Sequence, residues 1–214
     1  MYRPPSARLT PACTPAIGAQ AWQPRRHPVL EPRARSVFPF QQPTNKGPPM
    51  QRLVTQAVQG QFASPLGALH LLASPHGLLG AWFEGQAHFP DLRSYPRQDA
   101  HPLIVLACQQ LQAYFDKKST HFSVPLDASA GTPFQQSVWT ALQEIAPGQT
   151  SSYGALAHTL GKPKAARAVG AAVGRNPWSI IVPCHRVLGA GGALTGYAGG
   201  LDRKIALLQL ESAI

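Results

Sequence analysis

Two apolar segments with a short turn between them predict the first folded element of the chain. Residues 66–72 and 78–83 are rich in Leu and include Trp and Phe, and Ser74-Pro-His-Gly77 separates them. Apolar runs of this length beside a Pro and Gly turn are typical of paired strands. We therefore predict a strand, a turn and a second strand, with a further short strand at residues 122–126.

A helical period replaces these runs at residues 102–117, where apolar side chains recur every three or four positions. They would share one face of a helix: Leu103, Ile104, Ala107, Leu111, Tyr114 and Phe115. Cys108 lies in the same helix, and we interpret it as a small buried side chain rather than a reactive thiol. The strands and this helix together predict a small sheet-plus-helix domain over residues 50–130.

Helix signals dominate the remainder of the chain, residues 131–214. Thr132-Pro-Phe-Gln135 combines a capping Thr, a Pro at the first helical position and a Gln at the third, which predicts a helix that ends at Pro147-Gly148. A final helix is predicted over residues 201–212. The whole chain is thus predicted to be of the α+β class, with a mainly helical C-terminal domain.

Two shorter helices are predicted between these, at residues 152–160 and 163–174. Gly161 closes the first helix, and Asn176-Pro177 ends the second. Two short helices with a three-residue break around a glycine are typical of a helix-turn-helix, and a packed helical hairpin has the same pattern.

Composition sets the N-terminal segment apart from these elements. Residues 1–49 hold 11 of the 22 prolines, together with seven basic residues and one acidic residue. Proline at this density opposes both helix and strand, so we predict a basic, disordered tail. An organelle presequence and a translation start at Met50 are the alternatives.

The formal net charge of +10 favours a polyanionic partner such as nucleic acid, although the tail carries most of the excess. No run approaches the ~18 to 20 apolar residues that a membrane helix needs, so a spanning protein is excluded. Cys13, Cys108 and Cys184 cannot form a disulfide framework, which favours a reducing, cytoplasmic location.

Cys184 is the candidate nucleophile, because His185 and Arg186 follow it directly. A nearby imidazole or guanidinium would raise the fraction of thiolate. Adjacent residues of a strand point in opposite directions, so a water molecule or a turn would have to connect Cys184 with His185. A buried structural cysteine fits the residues equally well, and zinc is not expected because no second cysteine pair accompanies Cys184.

Three further features have a plain and a functional interpretation. The predicted third helix surrounds Arg167 with alanines, which suits close helix packing or a thin helix that enters a narrow groove. The glycines between Gly189 and Gly200 suit a surface loop or a close approach to a ligand. Glu211 lies at a helix C-terminus, where an acid opposes the helix dipole, so it is either solvated or paired, with His185 as the candidate partner.

Several of these segments, in this order, resemble the C-terminal domain of the methylated-DNA–protein-cysteine methyltransferases, also called O6-alkylguanine-DNA alkyltransferases. The matching segments are Gly131-Thr-Pro-Phe-Gln135, Ser152-Tyr-Gly154, Lys164-Ala-Ala-Arg-Ala-Val-Gly170, Asn176-Pro177, Ile181-Val-Pro-Cys-His-Arg-Val187, Leu194-Thr-Gly-Tyr-Ala-Gly-Gly-Leu201 and Arg203-Lys204. Residues 60–130 resemble the N-terminal domain of that family only in layout.

The resemblance implies a role for each matched residue at the reactive centre. Cys184 would accept the alkyl group, and His185, oriented by Glu211, would act as its base through a water molecule. Tyr153 would help to extrude the base and would donate a proton near guanine N3. Asn176 would connect the helix-turn-helix to the turn that carries the cysteine.

Other matched residues would contact DNA or the extruded base. Arg167 would fill the space that the base leaves, with Lys164 and the neighbouring alanines in the minor groove; these alanines are Ala165, Ala166 and Ala168. Backbone amides around Tyr197 and Ala198 would hold O6. Val182 and Val187 would contribute a carbonyl group and a wall of the pocket.

The resemblance therefore implies one irreversible transfer per molecule from O6-alkylguanine, and from O4-alkylthymine, in double-stranded DNA. No cofactor, no metal and little sequence preference are expected, and the protein is expected to be a monomer. Three alternatives are a lesion-binding protein without transfer, a Cys-His-Glu hydrolase that turns over, and a helix-turn-helix regulator that reads a defined operator.

Overall fold

The computed structural model describes residues 56–214, and its first element is a three-stranded antiparallel sheet. Strands β1 (Val58–Ser64), β2 (Gly67–Ser74) and β3 (Gly77–Phe83) are neighbours in that order. The predicted pair of strands corresponds to β2 and β3. Strand β1 was not predicted because its sequence has few large apolar residues and is interrupted by Gly60. That glycine is required by packing, since a Cβ there would lie 2.4 Å from Ile104 Cγ2.

The predicted strand at residues 122–126 is wrong. This segment runs beside β3 and forms an isolated bridge, in which Leu78 N donates to Pro125 O and Asp127 N donates to Leu78 O. Pro125 has no N–H group, so the segment cannot extend the ladder at that residue.

Helix α1 (Pro102–Phe115) packs on one face of the sheet through its apolar stripe. Cys108 on this stripe is 1% exposed and belongs to the main core, as predicted. A second apolar cluster, formed by Ala57, Leu72, Leu79, Trp82 and Leu92, includes residues from both β2 and β3. Every residue of β3 is buried as a result.

Four helices and two very short strands form the C-terminal part. Helix α2 (Pro133–Gln143) starts with the predicted capping box, because Gln135 N donates to Thr132 Oγ1 and Thr132 N donates to Gln135 Oε1. The other elements are β4 (Ser151–Ser152), α3 (Tyr153–Thr159), α4 (Ala166–Gly174), β5 (Val187–Leu188) and α5 (Leu201–Leu210).

The predicted helix-turn-helix is formed by α3 and α4, which pack on each other and on α2. Its second helix starts later than predicted, since Pro163–Ala165 form a 3₁₀ turn before α4. Helix α5 likewise ends at Leu210, so Glu211 caps its C-terminus. A small antiparallel sheet followed by helices confirms the predicted α+β class.

Residues 177–179 join the C-terminal part to the sheet. Ala81 N donates to Pro177 O at 2.8 Å, and Ser179 N donates to Ala81 O at 2.8 Å. The indole of Trp178 donates to Leu78 O at 2.7 Å. One hydrophobic core contains residues from both sides of the predicted boundary at residue 130.

The predicted tail, residues 1–49, lies outside the described residues. Among residues 56–214, no helix combines the length and the apolar character that crossing a membrane requires.

Candidate active site

A tight turn carries Cys184, and it follows residues 177–179, which pair with β3. Within it Val182 N donates to Trp178 O at 3.0 Å, and Ile180 adopts a left-handed backbone with φ of 72°. A β-branched residue is rarely found there, so the packing around the 1% exposed Ile180 must hold it in place. Cys184–Arg186 then form a 3₁₀ turn, so Cys184 and His185 do not lie on an extended strand.

Asn176 connects the end of α4 to this turn. Its Nδ2 lies 2.8 Å from Val182 O and 3.0 Å from Cys184 Sγ, and its Oδ1 accepts from Trp178 N at 3.1 Å. The amide is 4% exposed, so these contacts satisfy a buried polar group. The bonds place the sulfur atom relative to the helix-turn-helix.

The thiol of Cys184 is protonated at neutral pH. Burial raises its pKa to about 11, and the hydrogen bond from Asn176 offsets only part of that rise. Only ~1 in 10,000 molecules would be thiolate at pH 7. The expectation that the Arg186 guanidinium would favour the thiolate is wrong, because Arg186 pairs with Glu211 instead.

Glu211 is the centre of a buried hydrogen-bond network. Its Oε1 lies 2.9 Å from His185 Nε2 and accepts from Tyr114 Oη at 2.7 Å and from Arg186 Nη2 at 2.9 Å. Its Oε2 accepts from Arg186 Nε at 2.7 Å, and Arg186 Nη1 also donates to Ile145 O. Burial alone would raise the pKa of Glu211, but the hydrogen bonds from His185 and Arg186 outweigh it and lower the pKa to about 2.

The charge on Glu211 determines the tautomer of His185. Burial lowers the pKa of this fully buried imidazole, and the contact with Glu211 offsets only part of the change. Because an ionised carboxylate can only accept, the hydrogen of the neutral ring lies on Nε2. Nδ1 therefore carries the lone pair, and it has no hydrogen-bonding partner within residues 56–214.

Cys184 opens onto a cavity of about 180 Å³. Its lining comes from three loops and two helices: Ala87, His88, Tyr153, Gly170, Val173, Gly174, Cys184, Gly196, Tyr197 and Ala198. Tyr153 Oη donates to Gly196 O at 3.3 Å, and Ala87 N donates to Ala198 O at 2.9 Å. The glycine at position 199 is required here, since a Cβ would lie 2.6 Å from the Tyr197 ring.

Val182 and Val187 do not line this cavity. Both are fully buried, and their carbonyl groups accept from Asn176 Nδ2 and from Lys204 Nζ, respectively. The structure thus brings Cys184, Tyr153, Tyr197 and Ala198 together around the cavity and leaves the two valines behind it.

The predicted DNA-binding residues lie in the 3₁₀ turn before α4 and in the first turn of α4, a helix that also lines the cavity. Lys164, Arg167 and Ala168 are exposed, whereas Ala165 and Ala166 are half-buried. The guanidinium of Arg167 makes no hydrogen bond or ion pair with any part of the chain that the structure describes. The opposite side of α4, with Val169, is buried against the core.

Sequence reasoning missed two polar residues of this region. Tyr114 was interpreted as apolar packing, although the hydroxyl of a buried tyrosine usually needs a partner. Lys204 is fully buried, and its Nζ donates to Val187 O at 2.6 Å and to Thr195 O at 2.7 Å. Its position three residues before Leu207, on the buried face of α5, was a usable signal.

Comparison with known proteins gives consistent matches over both parts of the chain. Residues 133–213 match the family described as 6-O-methylguanine DNA methyltransferase, DNA binding domain. Residues 58–128 match the 6-O-methylguanine DNA methyltransferase, ribonuclease-like domain.

The chain is also similar to individual named proteins. It is 47% identical over 153 residues to a methylated-DNA–protein-cysteine methyltransferase of Methanosarcina acetivorans, which covers 71% of this chain and 96% of that protein. A protein of the same name from Mycolicibacterium paratuberculosis is 48% identical over 151 residues. This match covers 69% of this chain and 88% of that protein.

A solved structure, Mycobacterium tuberculosis OGT in complex with DNA, is similar at a TM-score of 0.65 and 46% identity, over 72% of this chain and 91% of that one. Matches to both domain families, together with relatives of this identity and coverage, assign the chain: it belongs to the methylated-DNA–protein-cysteine methyltransferase family.

Proposed function

We propose that this protein repairs DNA by transferring the alkyl group of O6-alkylguanine to its own Cys184. The observation that carries the proposal is the position of Cys184 at a cavity that Tyr153 also lines, next to the Glu211–His185 pair. Methyl transfer to a protein cysteine is also the activity in the names of the relatives.

The buried thiol must lose its proton as the reaction takes place, because its pKa of about 11 leaves it protonated beforehand. His185 offers Nδ1 as the acceptor, since Glu211 holds the hydrogen of the ring on Nε2. A water molecule between Sγ and Nδ1 would relay the proton. Protonated His185 would then be stabilised by the carboxylate of Glu211.

In the transfer step, a bond forms between Cys184 Sγ and the alkyl carbon while the bond from that carbon to O6 breaks. The electron pair of the broken bond stays on the purine. The Tyr153 hydroxyl would donate a proton towards guanine N3 and recover one from solvent, and His185 would release to solvent the proton that it took from sulfur. The balance is therefore one proton moved from sulfur to the purine. The thioether product has no simple reversal, so each molecule reacts once, and the step as written needs no cofactor.

The base would be held by the loop on the far side of the cavity. Backbone amides around Tyr197 and Ala198, two residues that line the cavity, would bind O6, and the absence of a side chain at Gly199 leaves room for the Tyr197 ring. Val182 and Val187 lie behind the lining, so they would reach the base only after the cavity widens. The smaller O4-alkylthymine would occupy the same site.

Reaching the cavity requires that the damaged base leave the duplex, at a cost of a few kcal/mol. The exposed face of α4 is suited to the minor groove, because its small alanines allow a close approach. Arg167 has no competing partner among residues 56–214 and would fill the space in the base stack, while Lys164 would contact phosphate. Binding of this kind has little sequence preference and weakens with salt. We propose that a monomer suffices.

The decisive experiment is mass spectrometry of the protein after incubation with a duplex that contains O6-methylguanine. We expect one added methyl group on the Cys184 peptide, none on the Cys108 peptide, and none with an undamaged duplex. Repeated turnover would favour a hydrolase, and tight binding without transfer would favour a lesion-binding protein. Label on Cys108 alone would refute the role of Cys184.

A second experiment tests the role of Arg167 in extruding the base. Arg167→Ala should slow transfer from the duplex far more than transfer from free O6-benzylguanine, which needs no extrusion. Arg93→Ala is the matched control, since its side chain is 91% exposed and, among the described residues, pairs with Asp91 alone. Equal losses on both substrates would count against insertion by Arg167.

A further inference from the structure

We infer that Tyr114, on α1, is a positioning residue for alkyl transfer: its hydroxyl holds the Glu211 carboxylate that orients His185. The inference rests on the proposed function and adds a residue from the N-terminal part of the chain to the reactive centre.

Among residues 56–214 the Tyr114 hydroxyl has a single acceptor. Tyr114 is 2% exposed, and its Oη lies 2.7 Å from Glu211 Oε1 across 97 residues of sequence. Its ring packs against Phe115 and Phe122, with centroids 5.4 and 5.8 Å away. No other hydrogen bond of this hydroxyl is found within residues 56–214, so its hydrogen points at Glu211.

Tyr114 and His185 share the same carboxylate oxygen, Oε1. A donor that takes part of the electron density of Oε1 weakens the attraction of this oxygen for the hydrogen on His185 Nε2. The Tyr114 hydroxyl therefore has two effects. It favours the ionised form of Glu211, and it limits how strongly Glu211 raises the basicity of His185.

Charged and titratable groups around His185 come from three elements of the described part. These are Tyr114 from α1, Cys184 and Arg186 from its own turn, and Lys204 and Glu211 from α5. Arg186 and Lys204 disfavour a protonated His185, whereas Glu211 favours it. Tyr114 is a neutral donor that weakens the effect of Glu211 on the pKa of His185. Removal of its hydroxyl should therefore shift the pH at which the rate of methyl transfer falls.

The experiment compares single-turnover methyl transfer from duplex DNA in the wild-type protein and in Tyr114→Phe between pH 5 and 9. The rate should fall at low pH as His185 becomes protonated. Phenylalanine keeps the ring contacts and removes the donor, so Glu211 attracts the His185 hydrogen more strongly. We expect the acid midpoint to move up by ~0.5 pH unit, with unchanged affinity for DNA.

Two further proteins make the result specific. Tyr95→Phe removes a hydroxyl from the separate cluster around Trp82 and should leave the midpoint in place. Placing 3-fluorotyrosine at position 114 gives a stronger donor, and the midpoint should move down. This second variant decides the question if Tyr114→Phe does not fold.

An unchanged midpoint in the Tyr114 variants overturns the inference, even where the maximal rate falls, since a purely structural role lowers the rate at every pH. Failure of the wild-type protein to transfer a methyl group would instead refute the proposed function. The two failures are therefore distinguished by the wild-type profile alone.

Discussion

Replacing Glu211 by Gln removes one negative charge from a buried network while it keeps the shape of the side chain. The Glu211 side chain is 1% exposed, and it pairs with His185 and Arg186. Glutamine resembles the protonated carboxyl group, so the difference between the two proteins measures the ionised form of Glu211 alone. The ionised form should contribute to stability only at a pH at which Glu211 is ionised in the folded protein.

The size of this contribution follows from the pKa of Glu211, which falls from an ordinary value of 4.5 to about 2 in the folded protein. Each pKa unit corresponds to about 1.4 kcal/mol, so the ionised carboxylate stabilises the fold by about 3 kcal/mol at pH 7. An acid whose pKa is lower in the folded state stabilises that state at pH values above its pKa in the unfolded state. The contribution is therefore full above pH 4.5 and is lost as the pH falls to 2.

Urea unfolding followed by tryptophan fluorescence measures this difference directly. Glu211→Gln should lower the free energy of unfolding by about 3 kcal/mol at pH 7 and by about 2 kcal/mol at pH 3.5. His185 also titrates on unfolding, and Glu211 raises its pKa, so both proteins carry His185→Gln, which places a neutral amide donor where the ring would titrate. A difference that stays constant from pH 7 to pH 3.5 would refute the ionised, paired state of Glu211.

Three further predictions follow from the site. Lys204→Met should destabilise the fold by ~2–4 kcal/mol in the same assay, because it leaves the carbonyls of Val187 and Thr195 unpaired in a buried region. Alkylation of Cys184 by iodoacetamide, followed by peptide mass spectrometry, should become about tenfold faster per pH unit between pH 7 and 9, because the thiol pKa is about 11; a plateau near pH 7 would contradict this. Gly199→Ala should slow methyl transfer at a temperature at which the variant remains folded, since the added Cβ displaces the Tyr197 ring; equal transfer rates in the variant and the wild-type protein would show that the ring tolerates the shift.

Much of the fold could be predicted because its signals are local. The capping box at Thr132, the stripe on α1 and the glycine after α3 each depend on residues within one or two turns of a helix. Strand β1 and the segment at residues 122–126 were mispredicted for the opposite reason. Whether such a segment pairs depends on which backbone lies beside it, and no local pattern records that.

The site divides in the same way. The order Cys184-His185-Arg186 and the position of Glu211 indicated the reactive region. They did not predict which hydrogen-bonding partner each polar side chain has. Arg186 was expected to act on the thiol and instead pairs with Glu211. Tyr114 was expected to pack in the core, and it does so while its hydroxyl contacts a residue 97 positions away.

The sequence by itself determined the α+β class, the helix-turn-helix and, through its resemblance to one family, the residues at which chemistry is proposed. Only the tertiary structure decided the protonation of Cys184, the tautomer of His185 and the contact between Tyr114 and Glu211. Residue type and spacing specify local backbone structure. Burial and hydrogen bonding between distant segments set the electrostatics, and those segments meet only once the chain has folded.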